Sequence, residues 1–188
     1  MLYNFPNENF YKSNVNENTA KKSFDFLETI MDKFTHKTWK CDIRTSYSIT
    51  ENILNYPELL SLKMNILGHI DTYMRLRNSF FNGYIDNSWV NVYEKNFYQE
   101  PHVHSSPTRK FICGVLYLTE NNSPIHIIPH FNHENEFEIV PSFADILLFH
   151  DDVPHSVVAN KNDGLRVSLA FNFQLCARQL DFVKEHSN

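Results

Sequence analysis

The sequence predicts a mainly β protein with helices at its N-terminal end, an α+β chain whose second half is a sandwich or barrel. Three observations carry this expectation. Before about Gly83 two stretches, from Thr19 and from Pro57, have apolar residues at three- and four-residue spacing, the period of an amphipathic helix. Beyond it come short runs of apolar and β-branched residues separated by polar or turn-like pieces, the pattern of a sandwich or barrel and not of alternating βαβ units. Only four glycines are present, and none forms a phosphate-cradling loop or a dinucleotide-binding motif.

The elements follow in order. Residues 1–18, rich in Asn and aromatics without a clean period, read as an extended arm or early strand. From Thr19, the positions Ala20, Phe24, Leu27, Met31 and Phe34 mark one face of a helix, with Asn18 or Thr19 as its cap. Lys40 to Asn55 is polar and reads as a loop with a short strand. Pro57 opens a second helix whose buried stripe is Leu59, Leu62, Ile66, Ile70 and Tyr73. The strand candidates are Trp89–Tyr93, Phe111–Leu118, Ile125–Ile128, Phe137–Val140, Ile146–Phe149, Ser156–Val158 and Leu165–Phe173. Leu175 to Lys184 reads as a short terminal helix. The expected organisation is a single domain spanning 1–188. Within it, 1–83 is a helical support with an N-terminal arm, 84–174 the strand-rich core carrying the site, and 175–188 a C-terminal helix or tail.

Composition narrows the function classes. With 42% apolar and 21% charged residues, the chain is globular rather than disordered. A net charge of −5 argues against a phosphate-binding surface, so no nucleic-acid partner is expected. Cys41, Cys113 and Cys176 are odd in number and scattered, as buried thiols of a reducing compartment are. The opening MLYNFPNENF has neither the basic nor the apolar region of a signal peptide, and no stretch approaches a membrane span. The cytoplasm is the expected compartment, with no membrane partner.

The chemistry is concentrated in one part of the chain. Seven of the ten histidines fall between positions 102 and 155. In an extended segment residues i and i+2 share a face, so His102 and His104 can reach one metal together. His155 stands at the start of a later strand. Three neutral imidazoles on one point suit a borderline metal such as Fe(II). In the last strand Leu165, Val167, Leu169, Phe171 and Phe173 alternate with Arg166, Ser168, Ala170 and Asn172. Arg166 there either reaches solvent or points into a barrel mouth, where its planar fork would suit a carboxylate. His150-Asp151-Asp152 is a formal His-x-Asp, but it stands too close to His155 to share the site from a separate strand, and reads as loop. His126, His130 and His133, with Glu134, Glu136 and Glu138 alongside, read as a polar hairpin with a solvated face.

Several segments together resemble the Fe(II)/2-oxoglutarate-dependent oxygenase superfamily. They are Ser88–Tyr93, Tyr98–His104, Gly114–Leu118, Pro141–Phe149 with Pro154–Val157, and Arg166–Asn172. The likeness is to small members of uncharacterised substrate, often from phage or marine bacteria, and covers roughly 86–173. It implies a double-stranded β-helix, a cupin-like jelly roll. It also implies Fe(II) held by His102, His104 and His155, and 2-oxoglutarate held by Arg166 and Ser168. Tyr93 or Tyr117 would add a hydrogen bond to the co-substrate, and Asn91 would orient a ligand. With O₂, such a site would oxidatively decarboxylate 2-oxoglutarate to succinate and CO₂ and hydroxylate a peptidyl residue such as proline, or a small molecule. The compartment would be the host cytoplasm were the chain phage-encoded, and a homodimer is left open. Three features depart from the pattern: His104 where most members have Asp or Glu, Ala144 where a glycine is common, and Cys113 where serine is common. The first keeps two rivals open, a cupin-like three-histidine dioxygenase that needs no 2-oxoglutarate and a non-catalytic jelly-roll binding or structural protein.

Overall fold

In the computed structural model, residues 2–5, 8–36, 40–41, 43–79, 82–120, 123–128 and 136–176 are described. Twelve strands and two helices are named here in chain order: β1 Leu2–Phe5, β2 Glu8–Asn14, α1 Glu17–Glu28, β3 Thr35–His36, β4 Arg44–Thr45, α2 Leu60–Leu76, β5 Asn82–Tyr93, β6 Gln99–His102, β7 Phe111–Tyr117, β8 Ile125–Ile127, β9 Phe137–Ile139, β10 Asp145–His150, β11 His155–Val157 and β12 Arg166–Cys176. One sheet has the order β1-β2-β10-β7-β12-β5-β4-β3, the other β6-β11-β8-β9. From β5 to β12 the chain alternates between the sheets, save for the β8–β9 hairpin, and all their pairings are antiparallel. That winding is a double-stranded β-helix. The jelly roll and its α+β class are as the sequence predicts.

Two apolar layers hold it together. The helices cover one face of the large sheet: Ala20 and Leu27 of α1 and Leu62, Ile66, Ile70 and Tyr73 of α2 share a core with Val90, Val92, Val167, Leu169 and Phe171. Each of the Val, Leu, Ile and Phe side chains contributes roughly 1.5–3 kcal/mol by leaving water. The second layer lies between the sheets, where Phe111, Tyr117, Leu147 and Phe149 meet Ile125 and Ile127. Because alternate residues of β5 and β12 enter different layers, the odd residues of β12 face the helices and the even ones face the interior between the sheets. Gly114 of β7 is required by packing, since a Cβ there would come 2.0 Å from the Phe171 ring.

Several element boundaries differ from the sequence-based expectation. Asn16, not Asn18 or Thr19, caps α1, accepting from the Thr19 N–H at 3.0 Å. The helix ends at Glu28, so Met31 begins a 3₁₀ turn and Phe34 is extended although both remain buried. Pro57 opens a 3₁₀ turn, Pro57–Leu59, that leads into α2. Strand β5 begins at Asn82, ahead of the Gly83 boundary, whereas the arm before α1 is extended as expected and supplies β1 and β2 to the large sheet. Leu165 lies outside β12 and is 40% exposed. Leu175 and Cys176 continue β12 rather than starting a helix; residues 177–184 of that expected helix lie outside the described residues, as do His130, His133 and Glu134. No helix among the described residues is long and apolar enough to cross a membrane.

Ala144 has φ of +64°, the left-handed region that glycine occupies without cost. Its backbone is clamped there, its N–H donating to Tyr117 O at 2.8 Å and its carbonyl accepting from Val15 N–H at 3.0 Å. The departure from glycine is therefore tolerated rather than relieved.

Candidate functional site

Parity brings the histidines together. His155 pairs directly with His102 across β11 and β6, and a register irregularity in that ladder turns Gln99 inward as well. His104 follows just beyond β6, held by its N–H to Asp151 O at 2.9 Å. The ring centroids of His102, His104 and His155 lie 4.3 to 5.3 Å apart, and one nitrogen from each falls within 4.8 Å of the others.

Their hydrogen bonds settle which nitrogen is available. His102 Nδ1 faces Glu100 O at 2.9 Å and His155 Nδ1 faces Val153 O at 3.0 Å. A carbonyl can only accept, so both Nδ1 atoms carry the proton and both Nε2 atoms present lone pairs. His104 Nδ1 meets Asn172 Oδ1 at 2.8 Å, an oxygen that also accepts the Cys113 thiol at 3.3 Å. Such oxygen partners on the far nitrogen are how metal-binding imidazoles are oriented. Burial lowers all three: His104 to about 4, with the neighbouring His102 adding to the effect, His155 well below the ordinary value and His102 below it. All three are neutral at pH 7, the state a metal requires.

Next to them, at the same depth, lies Arg166, 1% exposed. Its guanidinium carbon sits 5.5 Å from the ring centres of both Tyr93 and Tyr117, and one terminal nitrogen donates to Pro124 O at 3.2 Å. Among the described residues it makes no ion pair, and Arg166 Nε, the Tyr117 hydroxyl and Asn91 Oδ1 are buried without a hydrogen bond of good geometry. Burial raises the Tyr117 phenol to about 12, and raises Tyr93 too, the nearby Arg166 charge opposing both, so both keep their protons. The Tyr93 hydroxyl donates to Gln99 Oε1 at 2.9 Å, so of the two tyrosines it is Tyr117 whose hydroxyl is left for a ligand. Ser168 faces the same pocket.

Every residue that the sequence singled out for the site thus lies in one pocket between the sheets: His102, His104, His155, Arg166, Ser168, Tyr93, Tyr117 and Asn91. Three others were missed. Trp89 stacks on His104 at 5.8 Å, Gln99 reaches His102 Nε2 at 3.4 Å, and Asn172 holds His104. Trp89 and Asn172 were legible by parity, on the same strand faces as Asn91 and Ser168; for Gln99, turned by a ladder irregularity, there was no signal. His150, Asp151 and Asp152 also bring three ligand atoms within 4.8 Å of one another, but the Asp151 carboxylate accepts the Phe111 N–H at 3.2 Å and serves the backbone. His126 pairs with Glu138 across β8 and β9 on an exposed face.

A second, wider cleft opens outward from the histidines. Glu100 and Asp86 line it, together with Arg109, which is bound to Asp86 at 3.0 Å. Burial works to raise the Glu100 carboxyl, but hydrogen bonds from backbone N–H groups and from the Cys41 thiol outweigh it and keep it ionised. Cys41 in turn, buried and beside that carboxylate, is pushed up to about 12.

No protein-family description matches the chain, and no curated protein matches it in sequence. Solved structures do match in shape. A Pseudomonas putida prolyl-4-hydroxylase superposes with a TM-score of 0.70 at 14% identity, covering 91% of this chain and 95% of that one. A Trichoplax adhaerens prolyl hydroxylase in complex with a hypoxia-inducible-factor peptide gives 0.67 at 14%, covering 87% and 82%. The non-heme α-ketoglutarate-dependent carbocyclase SnoK of nogalamycin biosynthesis gives 0.67 at 13%, covering 88% and 79%. The chain therefore has the fold of the Fe(II)/2-oxoglutarate-dependent oxygenases.

Proposed function

We propose that this chain is an Fe(II)- and 2-oxoglutarate-dependent oxygenase. One observation carries the reading: a fully buried arginine with no carboxylate partner among the described residues lies beside three imidazoles whose far nitrogens are already committed to oxygens. A buried cation without a counter-charge is costly, and an arginine placed so is accounted for by a carboxylate that arrives with a ligand.

His102, His104 and His155 would hold the iron through their Nε2 atoms, and Asn172 would fix the His104 ring. Arg166 and the Tyr117 hydroxyl would bind the distal carboxylate of 2-oxoglutarate, with Ser168 and Asn91 beside it. Iron, 2-oxoglutarate and O₂ together would supply an oxidant, with succinate and CO₂ as by-products, able to hydroxylate an unactivated C–H bond. The chain's own contribution is to orient the co-substrate and, through Phe149, Ile125 and Val157, to keep water from it. The neutral His104 in place of a carboxylate favours a dianionic co-substrate by leaving the site more positive. The same substitution supports a second reading, a three-histidine dioxygenase that binds its substrate directly; the uncommitted Arg166 weighs against it.

Succinate measured by mass spectrometry after incubation with Fe(II), ascorbate, 2-oxoglutarate and O₂ tests the reading. Succinate formation that is lost in His155→Ala is expected. Iron-loaded wild-type protein that forms none above the His155→Ala background would overturn it.

A further inference from the structure

Six buried side-chain polar atoms among the described residues lack a hydrogen-bond partner, and all six belong to residues lining the inner pocket or the cleft outside it. They divide by chemistry. The inner pocket has the donors Arg166 Nε and the Tyr117 hydroxyl, with Asn91 Oδ1. The outer cleft has the acceptors Asn87 Oδ1 and Glu100 Oε2, and Trp89 Nε1 borders both spaces. Buried polar atoms left unpaired cost free energy, and a set of acceptors around one cleft is matched by a ligand rich in donors.

Charge and shape point the same way. The outer cleft encloses about 460 Å³. Among the described residues its charged lining is Asp86, Glu100 and Arg109, and because Arg109 is bound to Asp86, Glu100 is the charge left over there. Tyr47 stands edge-on to Trp89 at 5.3 Å, an aromatic wall facing that carboxylate's cleft. Trp89 itself is 6% exposed, so its unpartnered indole N–H is a built feature rather than a surface accident. On the oxygenase reading, the metal's two positive charges and that of Arg166 exceed the co-substrate's two negative ones by one, and in the cleft the Glu100 carboxylate supplies the opposing charge that favours a cation there.

We propose that the outer cleft is the substrate subsite and that it selects an alkylammonium group of the lysine type, free or within a peptide. The ammonium donates to Glu100 and Asn87, its methylene stem lies against Trp89 and Tyr47, and a carbonyl near it accepts the Trp89 N–H. Aromatic faces add attraction for such a cation. An anionic substrate would face Glu100 unpaired. The inference rests on the oxygenase reading for the term substrate, but the binding it describes is measurable without turnover.

Calorimetric titration of the full-length protein under nitrogen, as purified and loaded with Fe(II) and 2-oxoglutarate, tests it with four probes. These are Nα-acetyl-lysine methylamide, free lysine, the neutral Nα-acetyl-norleucine methylamide and the anionic Nα-acetyl-glutamate methylamide. The acetyl-lysine probe is expected to bind about tenfold more tightly than the norleucine one, the worth of one hydrogen bond to a charged group, and the glutamate probe not at all. Glu100→Gln should weaken the acetyl-lysine probe by a similar factor, whereas Arg109→Gln, which unmasks Asp86, should strengthen it. Free lysine binding as well as the acetylated form points to a small-molecule source, and free lysine binding worse points to a peptide. Norleucine binding equal to lysine, or a folded Glu100→Gln protein with unchanged affinity, overturns the inference. The visible band of iron-bound 2-oxoglutarate, recorded on the same loaded samples, keeps the two claims apart. A band without lysine-probe binding sinks this inference alone; lysine-probe binding without a band sinks the oxygenase reading alone.

Discussion

Replacing Arg166 by methionine separates a ligand-binding arginine from a structural one, because the two roles predict opposite effects on stability and binding. The residue is 1% exposed, makes no ion pair among the described residues and leaves Nε without a partner. Removing an uncompensated buried charge while filling its volume relieves a desolvation penalty of up to a few kcal/mol. Against this, the Pro124 carbonyl loses its hydrogen bond, about 1 kcal/mol, and the guanidinium contacts with the Tyr93 and Tyr117 rings are lost, roughly 0.5–2 kcal/mol each. Gain and loss are of similar size, so the ligand-free variant should stay within about 2 kcal/mol of wild type by urea unfolding. Binding should respond differently. Two charge-assisted hydrogen bonds to a carboxylate, at roughly 1.5–3 kcal/mol each, correspond to a loss on the order of 10²- to 10³-fold in 2-oxoglutarate affinity. Metal affinity should not change. A variant that unfolds several kcal/mol more easily yet binds 2-oxoglutarate normally would refute the reasoning, and Arg166 would then be a core residue.

Other outcomes follow from the same geometry. Asn172→Leu removes the oxygen that orients His104 at 2.8 Å, and should weaken metal binding by roughly 10- to 100-fold while Fe(II) still binds through the remaining histidines; unchanged affinity in equilibrium dialysis would contradict that role. Gly114→Ala drives a methyl into the Phe171 ring, 2.0 Å away, and should lower stability by about 1–3 kcal/mol in calorimetry. Acid should destabilise the metal-free protein well above the carboxylate range. His104 is held near 4 in the fold against 6.5 ordinarily, so between those values the unfolded chain binds the extra proton, and the stability present above about 6.5 is lost as pH falls toward 4. From His104 alone the loss between pH 7 and 5 is about 2 kcal/mol, and His155 and His102 act in the same direction; a urea midpoint that does not move would count against it.

Much of the site could be read in the sequence because β-structure repeats every two residues. Once Arg166 is in a strand with Val167, Leu169 and Phe171 on one face, Ser168, Ala170 and Asn172 share its other face, and the same rule places Trp89 with Asn91 and Tyr93. What parity does not decide is which face looks between the sheets; for Arg166 that depended on the helices covering the Val167 face, a tertiary fact. Gln99 entered the pocket through an irregular ladder between β6 and β11, which local sequence does not encode. The contribution of the N-terminal arm to the large sheet was equally hidden, since β2 pairs with β10 more than a hundred residues away. Helix α1 ended early because Met31 and Phe34 stay buried in turn and extended conformations, keeping the helical spacing without the helix.

The most direct test of the central claim is an anaerobic titration of 2-oxoglutarate into the Fe(II)-loaded protein, followed by the visible charge-transfer band of the chelated co-substrate. A saturable band in wild type, shifted to on the order of 10²-fold higher 2-oxoglutarate in Arg166→Met and absent in His155→Ala, is the predicted result. Iron held by the three histidines with no band at any 2-oxoglutarate concentration would contradict it, and would leave a three-histidine site that uses its arginine for something else.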